Sequence, residues 1–230
     1  MKEILENSVF LGVIISLGSY MIGKWLKEKT GWALMNPLLV SIVLVIAFLL
    51  LTGTSYESYK HGANLISYLL TPATVCLAVP LYQQFELLKR NSKAILAGII
   101  AGVLSSLCSI LLFAIIFKLD HVSYVTLLPK SITTAIGIGV SEILGGYVSV
   151  TVVVIIITGV IGNIFAEGFL KLIKVTEPIA KGIAIGSASQ AVGTAKAMEM
   201  GEVEGAMSSL SIVVCGMITV FVAPLFAAII

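Results

Sequence analysis

Charge is sparse in this sequence. Asp, Glu, Lys and Arg make up 11% of its 230 residues, whereas a soluble domain carries about a quarter. Too few polar side chains remain to cover a water-facing globule, so no segment reads as a soluble enzyme domain. Histidine is nearly absent, and His61 and His121 stand far apart with no motif around either. Neither makes a metal site. Cys76, Cys108 and Cys215 form an odd set inside apolar runs. They read as small buried hydrophobes rather than a disulfide framework. No nucleophile–base pair, P-loop or His-x-x-x-His is found, so neither catalysis nor a cofactor is expected. A net charge of +2 gives no electrostatic footprint for nucleic acid.

Hydrophobicity is abundant instead: 58% of the residues are apolar and the mean hydropathy is +1.09. At ~20 residues per span there is room for roughly six to eight crossings and little else. The expected fold is therefore all-α, a single polytopic transmembrane domain over residues 1–230 in the cell membrane. Clear spans lie at about 8–23, 34–52, 94–117, 147–170 and 205–230. The first apolar run, Val9 to Ile22, lacks an Ala-x-Ala-like site and is followed by Lys24, Lys27 and Lys29. It reads as a retained span with its N-terminus outside and the lysine loop in the cytoplasm.

Between the firm spans lie three segments of another kind. Residues 62–88 contain LLTPATVCLAVPLYQQF, 123–146 contain LLPKSITTAIGIGVSEILGG, and 178–200 contain PIAKGIAIGSASQAVGTAKAMEM. Each is interrupted by Pro or by clustered Gly, Ser and Thr, with Pro72, Pro129, Gly186 and Gly193 as the expected breaks. Broken backbone at membrane depth survives only where protein or a watery cavity satisfies its hydrogen bonds. The segments also align with one another. Placing Pro72 on Pro129 sets Thr74 on Ser131 at an offset of 57, and the same step from Pro129 lands on Gly186. Interrupted helices in corresponding positions point to a transport site.

Loop charge constrains the crossings. Lys89, Arg90 and Lys93 form one basic cluster, and Lys171, Lys174 and Lys181 another. Both are cytoplasmic only if 123–146 re-enters and leaves on the face from which it came. Re-entry is the expected arrangement.

Pro129 suits a first helical turn, where its missing N–H is not needed. The N–H groups and hydroxyls of Ser131, Thr133 and Thr134 would then meet whatever faces that helix start, and Lys130 adds a full charge. This suits a small carboxylate. Alternatively Lys130 reaches the headgroups and the hydroxyls bond their own helix; the three hydroxyls favour the site. Ser187, Ser189, Gln190 and Thr194 crowd the third segment. Helix packing explains its glycines but not Gln190, which both donates and accepts hydrogen bonds. Thr74 beside Pro72 offers a hydroxyl without charge, and packing explains it equally well. Glu142 and Glu167 with Asn163 are intramembrane candidates by composition, with the interface the better place for Glu167. Small-residue faces predict a homo-oligomer.

PATVCLAVPLY (72–82), LLPKSITTAI (127–136), PIAKGIAIG (178–186) and VGTAKAMEMGEVEGAMSSLS (192–211) occur together and in order. In these stretches the chain resembles the LrgB/CidB family of bacterial membrane proteins over nearly its whole length. The resemblance implies one of two roles. One is antiholin-like control of murein hydrolase activity and cell lysis beside a small LrgA/CidA-type holin-like partner. The other is transport of small monocarboxylates such as pyruvate, or glycolate and glycerate in plastid relatives. The second agrees with the anion site read from the residues. Where the family often has His, this chain has Gln190, so a proton-coupling role for that His does not transfer. Ala135 replaces a Pro found in many members, which softens the local break.

Overall fold

Alternation of long apolar runs with Gly, Pro and polar punctuation yields helices throughout the described residues. The computed structural model describes residues 10–32, 35–76 and 78–230. They form two units, Met1–Cys76 and Leu77–Ile230.

In the first unit, α1 (Leu11–Thr30) carries Lys27 and Lys29 in its last turn, where cations complement the helix dipole. Gly31 ends it in the left-handed conformation, with φ 66°. The second helix, α2 (Pro37–Thr52), starts with Asn36, whose side chain accepts from the Leu38 N–H at 2.9 Å, and with Pro at its first position. Gly23 of α1 lies against Pro37 and Val40. Towards its start α1 meets α3 (Tyr56–Ser67), where Gly12 touches the Ala63 backbone and the Ser16 and Tyr59 hydroxyls pair at 2.8 Å. The short α4 (Leu70–Cys76) contains Pro72. Pro72 thus lies in the first turn of α4, just past the interruption at Tyr68 and Leu69 that separates it from α3.

The second unit opens with α5 (Ala78–Gln83) and the 33-residue α6 (Phe85–Phe117), about 50 Å long. Ile95, Ile99, Val103, Leu107, Ile110 and Ala114 bury one stripe of α6, while Leu96, Ile100, Leu104 and Ile115 stay exposed. Exposed apolar side chains of this kind face lipid. Cys108 is exposed there too, as is Cys76 of the first unit; lipid accepts such a side chain as readily as protein does. Of the three cysteines only Cys215 is buried. Among the described residues, α6, α9 (Val148–Leu172) and α11 (Glu202–Ala227) are the helices long and apolar enough to cross a membrane.

The intervening segments do not cross. They turn back. The first has two arms, α7 (His121–Leu127) and α8 (Thr134–Ile143). Thr126 lies beside Gly146, accepts the Tyr147 N–H at 2.8 Å and, through its carbonyl, the Thr151 hydroxyl at 2.9 Å. Deeper in, Gly137 lies near Pro129. Chain on the two sides of Thr133 is therefore folded back on itself, as in a hairpin. The second hairpin is α10 (Pro178–Met200), which breaks at Gln190 with φ 52° and ψ −140°. A straight helix would hold residues 185 and 193 about 12 Å apart, yet a Cβ on Gly193 would lie 3.0 Å from the Ile185 side chain. The first arm, 178–189, runs with α11, since Gly182 meets Glu204 and Gly186 meets Ser208. The return arm, 191–200, runs against it, since Thr194 meets Ser208 and Met198 meets Gly205.

Each hairpin is thus followed by a spanning helix. Because α9 crosses between them, the hairpins enter from opposite faces. The two basic clusters, on α6 and at the end of α9, then fall on one face, which the positive-inside rule assigns to the cytoplasm. This is the re-entry that loop charge demanded for residues 123–146. The room for six to eight crossings is partly filled by chain that turns back.

Candidate functional site

The hairpin tips meet at membrane depth. Pro129 lacks the N–H that would continue the ladder to Val125, and α7 stops at Leu127. Two turns follow, closed by Lys130 N–H to Leu127 O at 3.1 Å and Ile132 N–H to Pro129 O at 3.3 Å. Thr133 is extended, with φ −60° and ψ 145°, and α8 begins only at Thr134. The expected helix start at Pro129 is therefore displaced by five residues, and Lys130 and Ser131 occupy the turn itself. The N-terminus of α8 still lies at the tip, with no side chain capping it.

Gln190 forms the other tip. Its positive φ is strained for a residue with a Cβ and persists because the surroundings fix it. Its Nε2 donates to the Lys130 carbonyl at 3.2 Å, joining the tips. Its own carbonyl accepts from the Thr194 hydroxyl at 2.8 Å, and that hydroxyl pairs with Ser208 of α11 at 2.7 Å. Thr194 is fully buried and latches the return arm to α11 rather than lining a binding surface. Asn163 of α9 donates to the Val192 carbonyl at 2.6 Å, holding the turn from the other side. Ser189 is buried against Gly162 and Gly193. Gly186 and Gly193 are not breaks. Both sit in straight arms and allow close approach, the first to α11 and the second to the opposite arm.

A cleft of about 770 Å³ opens between α6, the first tip and the first arm of α10. Asn91 and Glu177 lie at its cytoplasmic end. Ser105, Ser106, Ser109, Lys130, Ser131 and Ser187 line it at depth. Along α6 it extends from Asn91 to Ser109, about 27 Å at 1.5 Å per residue. The Lys130 ammonium donates to the Ser131 hydroxyl at 3.0 Å, and Ser131 pairs with Ser106 at 3.0 Å. Among the described residues no carboxylate lies within ion-pair distance of Lys130. The Ser187 hydroxyl donates to the Ile183 carbonyl of its own arm.

The cleft thus collects Lys130, Ser131 and Ser187 of the expected site residues. Thr133 and Thr134 stand at the tip without lining the cleft, and Gln190 orders it from behind. The side chain of Thr74 lies outside the described residues. Sequence reasoning missed the α6 wall. Its signal was the recurrence of Asn91, Gly98, Gly102, Ser105 and Ser109 at helical spacing, hidden inside a run that reads as lipid-facing. Glu142 is exposed at the outer end of α8. Glu167 pairs with Lys171 at 2.8 Å and Lys196 at 2.9 Å on the cytoplasmic face, an interfacial role.

The model of the LrgB-like family matches residues 16–229. The chain belongs to the LrgB-like family. An antiholin-like protein LrgB from Bacillus subtilis (strain 168) is 42% identical over 224 residues, covering 97% of each chain. No solved structure matches. Both hairpins, both tips and the α6 wall fall within the matched residues. In this LrgB-like chain the whole site is therefore part of what the family model spans.

Proposed function

We propose that this membrane protein is a secondary transporter of small monocarboxylates, of the size of pyruvate, glycolate or glycerate. The observation that carries the reading is Lys130: a cation without a carboxylate partner among the described residues, at the tip of a re-entrant hairpin, beside hydroxyls and in a cleft reaching the cytoplasmic face. An ammonium at membrane depth is costly unless something neutralises it, and a bound carboxylate would do so. Ser131, Ser106 and Ser187 would supply hydrogen bonds, and the uncapped start of α8 would favour the same charge. Movement of the paired hairpins against the spanning helices would give alternating access.

The name of the Bacillus relative favours a second reading, and the comparisons support it better than they support transport. In it the chain is an antiholin-like regulator of murein hydrolase activity and lysis, assembled with a small holin-like membrane protein. The experiment that separates the two is uptake of radiolabelled pyruvate, glycolate and lactate into proteoliposomes containing only this chain, wild type against Lys130→Ala. Saturable uptake that the substitution abolishes supports the carrier. Normal transport by Lys130→Ala refutes the anion site, and no uptake by folded wild-type protein moves the weight to the lysis regulator.

A further inference from the structure

The surroundings of Lys130 hold a second consequence, which rests on the transporter reading. Around the cleft, α6 carries no Asp, Glu, Lys, Arg or His between Lys93 and Lys118. Glu177 lines the cleft only at its cytoplasmic mouth, the arms of α10 carry none between Lys181 and Lys196, and α9 none before Glu167. After Glu204, α11 carries none. The first hairpin adds only His121 and Glu142, at its outer ends. The remaining titratable side chains of these elements are thiols and phenols: Cys108 is exposed on α6, Cys215 is buried, the Tyr124 hydroxyl donates to the Phe226 carbonyl at 3.0 Å, and Tyr147 stands at the start of α9. Among the described residues of this unit Lys130 is the one charged side chain at membrane depth.

That isolation constrains what can cross. With a monoanion bound, the ammonium and carboxylate cancel. With a dianion bound the site carries one excess negative charge, and with nothing bound one excess positive charge. Both are penalised in a low-dielectric interior. An empty site can therefore return only with another monoanion or with its amine unprotonated. Lysine can lose its proton when desolvated, and arginine effectively cannot.

We propose that Lys130 is also the proton carrier of the cycle, making this chain an electroneutral proton–monocarboxylate symporter that rejects dicarboxylates. The free amine takes one proton from water on the uptake side, and the ammonium so formed binds the anion. After the pair crosses, the anion leaves and the ammonium returns its proton to water on the release side. The free amine then resets the site. No other reactant is needed.

Two measurements test this. In proteoliposomes of wild-type protein, net pyruvate uptake should follow an inward proton gradient, move one proton per pyruvate, ignore a potential set with potassium and valinomycin, and fail with malonate. Uptake that responds to the imposed potential, or equal uptake of malonate, overturns the inference while leaving the carrier in place. Wild-type protein that neither exchanges nor accumulates pyruvate removes the carrier reading itself, and this inference with it. The second measurement uses K130R, which keeps the charge but holds its proton. Pyruvate–pyruvate exchange should survive and gradient-driven net uptake should fall to the level of protein-free vesicles. Net uptake at the wild-type rate in K130R overturns the inference. If K130R loses both activities through misfolding, the potential and stoichiometry measurements on wild type decide alone.

Discussion

Replacing Gly186 by alanine tests the packing of the second hairpin on α11. A methyl at Gly186 would overlap the Ser208 carbonyl oxygen and lie 2.8 Å from both the Ser208 Cα and the Ser211 Cβ. These atoms are backbone or the first side-chain carbon, so no rotamer change moves them away. Overpacking of a tight interface costs about 1–3 kcal/mol, and this geometry belongs in the upper half of that range. Against it, alanine gains about 1 kcal/mol over glycine in a helix. The net expectation is a loss of about 1–2 kcal/mol, or a fall in Tm of roughly 2–8 °C for a chain of this length. Gly168 on α9 is the control, because it is exposed and a Cβ there meets nothing within 4 Å. Gly168→Ala should hold or raise Tm. The assay is thermal unfolding in detergent with a thiol-reactive dye, after Cys76 and Cys108 are changed to serine. Cys215, buried on α11 itself, is then the reporter. Equal Tm values for the two variants would refute the close contact between hairpin and helix.

Thr194→Val removes the hydroxyl shared by the Gln190 carbonyl and Ser208. Leaving buried polar groups unpaired should cost about 1–3 kcal/mol, read in the same assay and partly recovered when Ser208 is also changed to alanine. Single cysteines at Glu177 and Gly201 should react with a membrane-impermeant maleimide from the cytoplasmic side, and those at Asp120 and Gly145 from the outside; labelling of either pair from opposite sides would mean a full crossing. Asp120 caps α7, and its carboxylate accepts from Ser123, chiefly through that residue's hydroxyl and then its N–H, which holds its pKa below the ordinary value. Its contribution is present above the unfolded-state pKa and lost as pH falls through the lowered one. The protection factor of the Tyr124 amide, which corrects for the pH dependence of intrinsic exchange, should accordingly fall in acid in wild type and be insensitive to that change in Asp120→Asn.

The repeat spacing was legible without coordinates because both tips must interrupt an apolar run. Thr133, the extended residue that leads out of the first tip, and Gln190, where the second hairpin turns, are 57 residues apart, which is the offset aligning Pro72 with Pro129. Re-entry was legible from Lys89, Arg90, Lys93, Lys171 and Lys174, since charge has to stay on one face. The breaks were misplaced because Gly and Pro do different work here. Pro129 ends one arm rather than starting the next, while Gly186 and Gly193 make room for neighbours. Gln190, a residue not suited to a positive φ, makes the turn itself. Tertiary contacts from Lys130, Thr194 and Asn163 hold it there, and no local pattern announces them. The α6 wall was invisible for a related reason: small residues in a span face lipid, helix or cavity without changing hydropathy much.

The order of hairpin followed by span has a consequence for how such a chain could originate. One such unit makes a single net crossing, because the hairpin contributes none. A tandem copy of a unit with an odd number of crossings is inserted upside down by its position alone, with no new sorting signal. Gene duplication would then be enough to supply two hairpins of opposite orientation whose turns meet halfway.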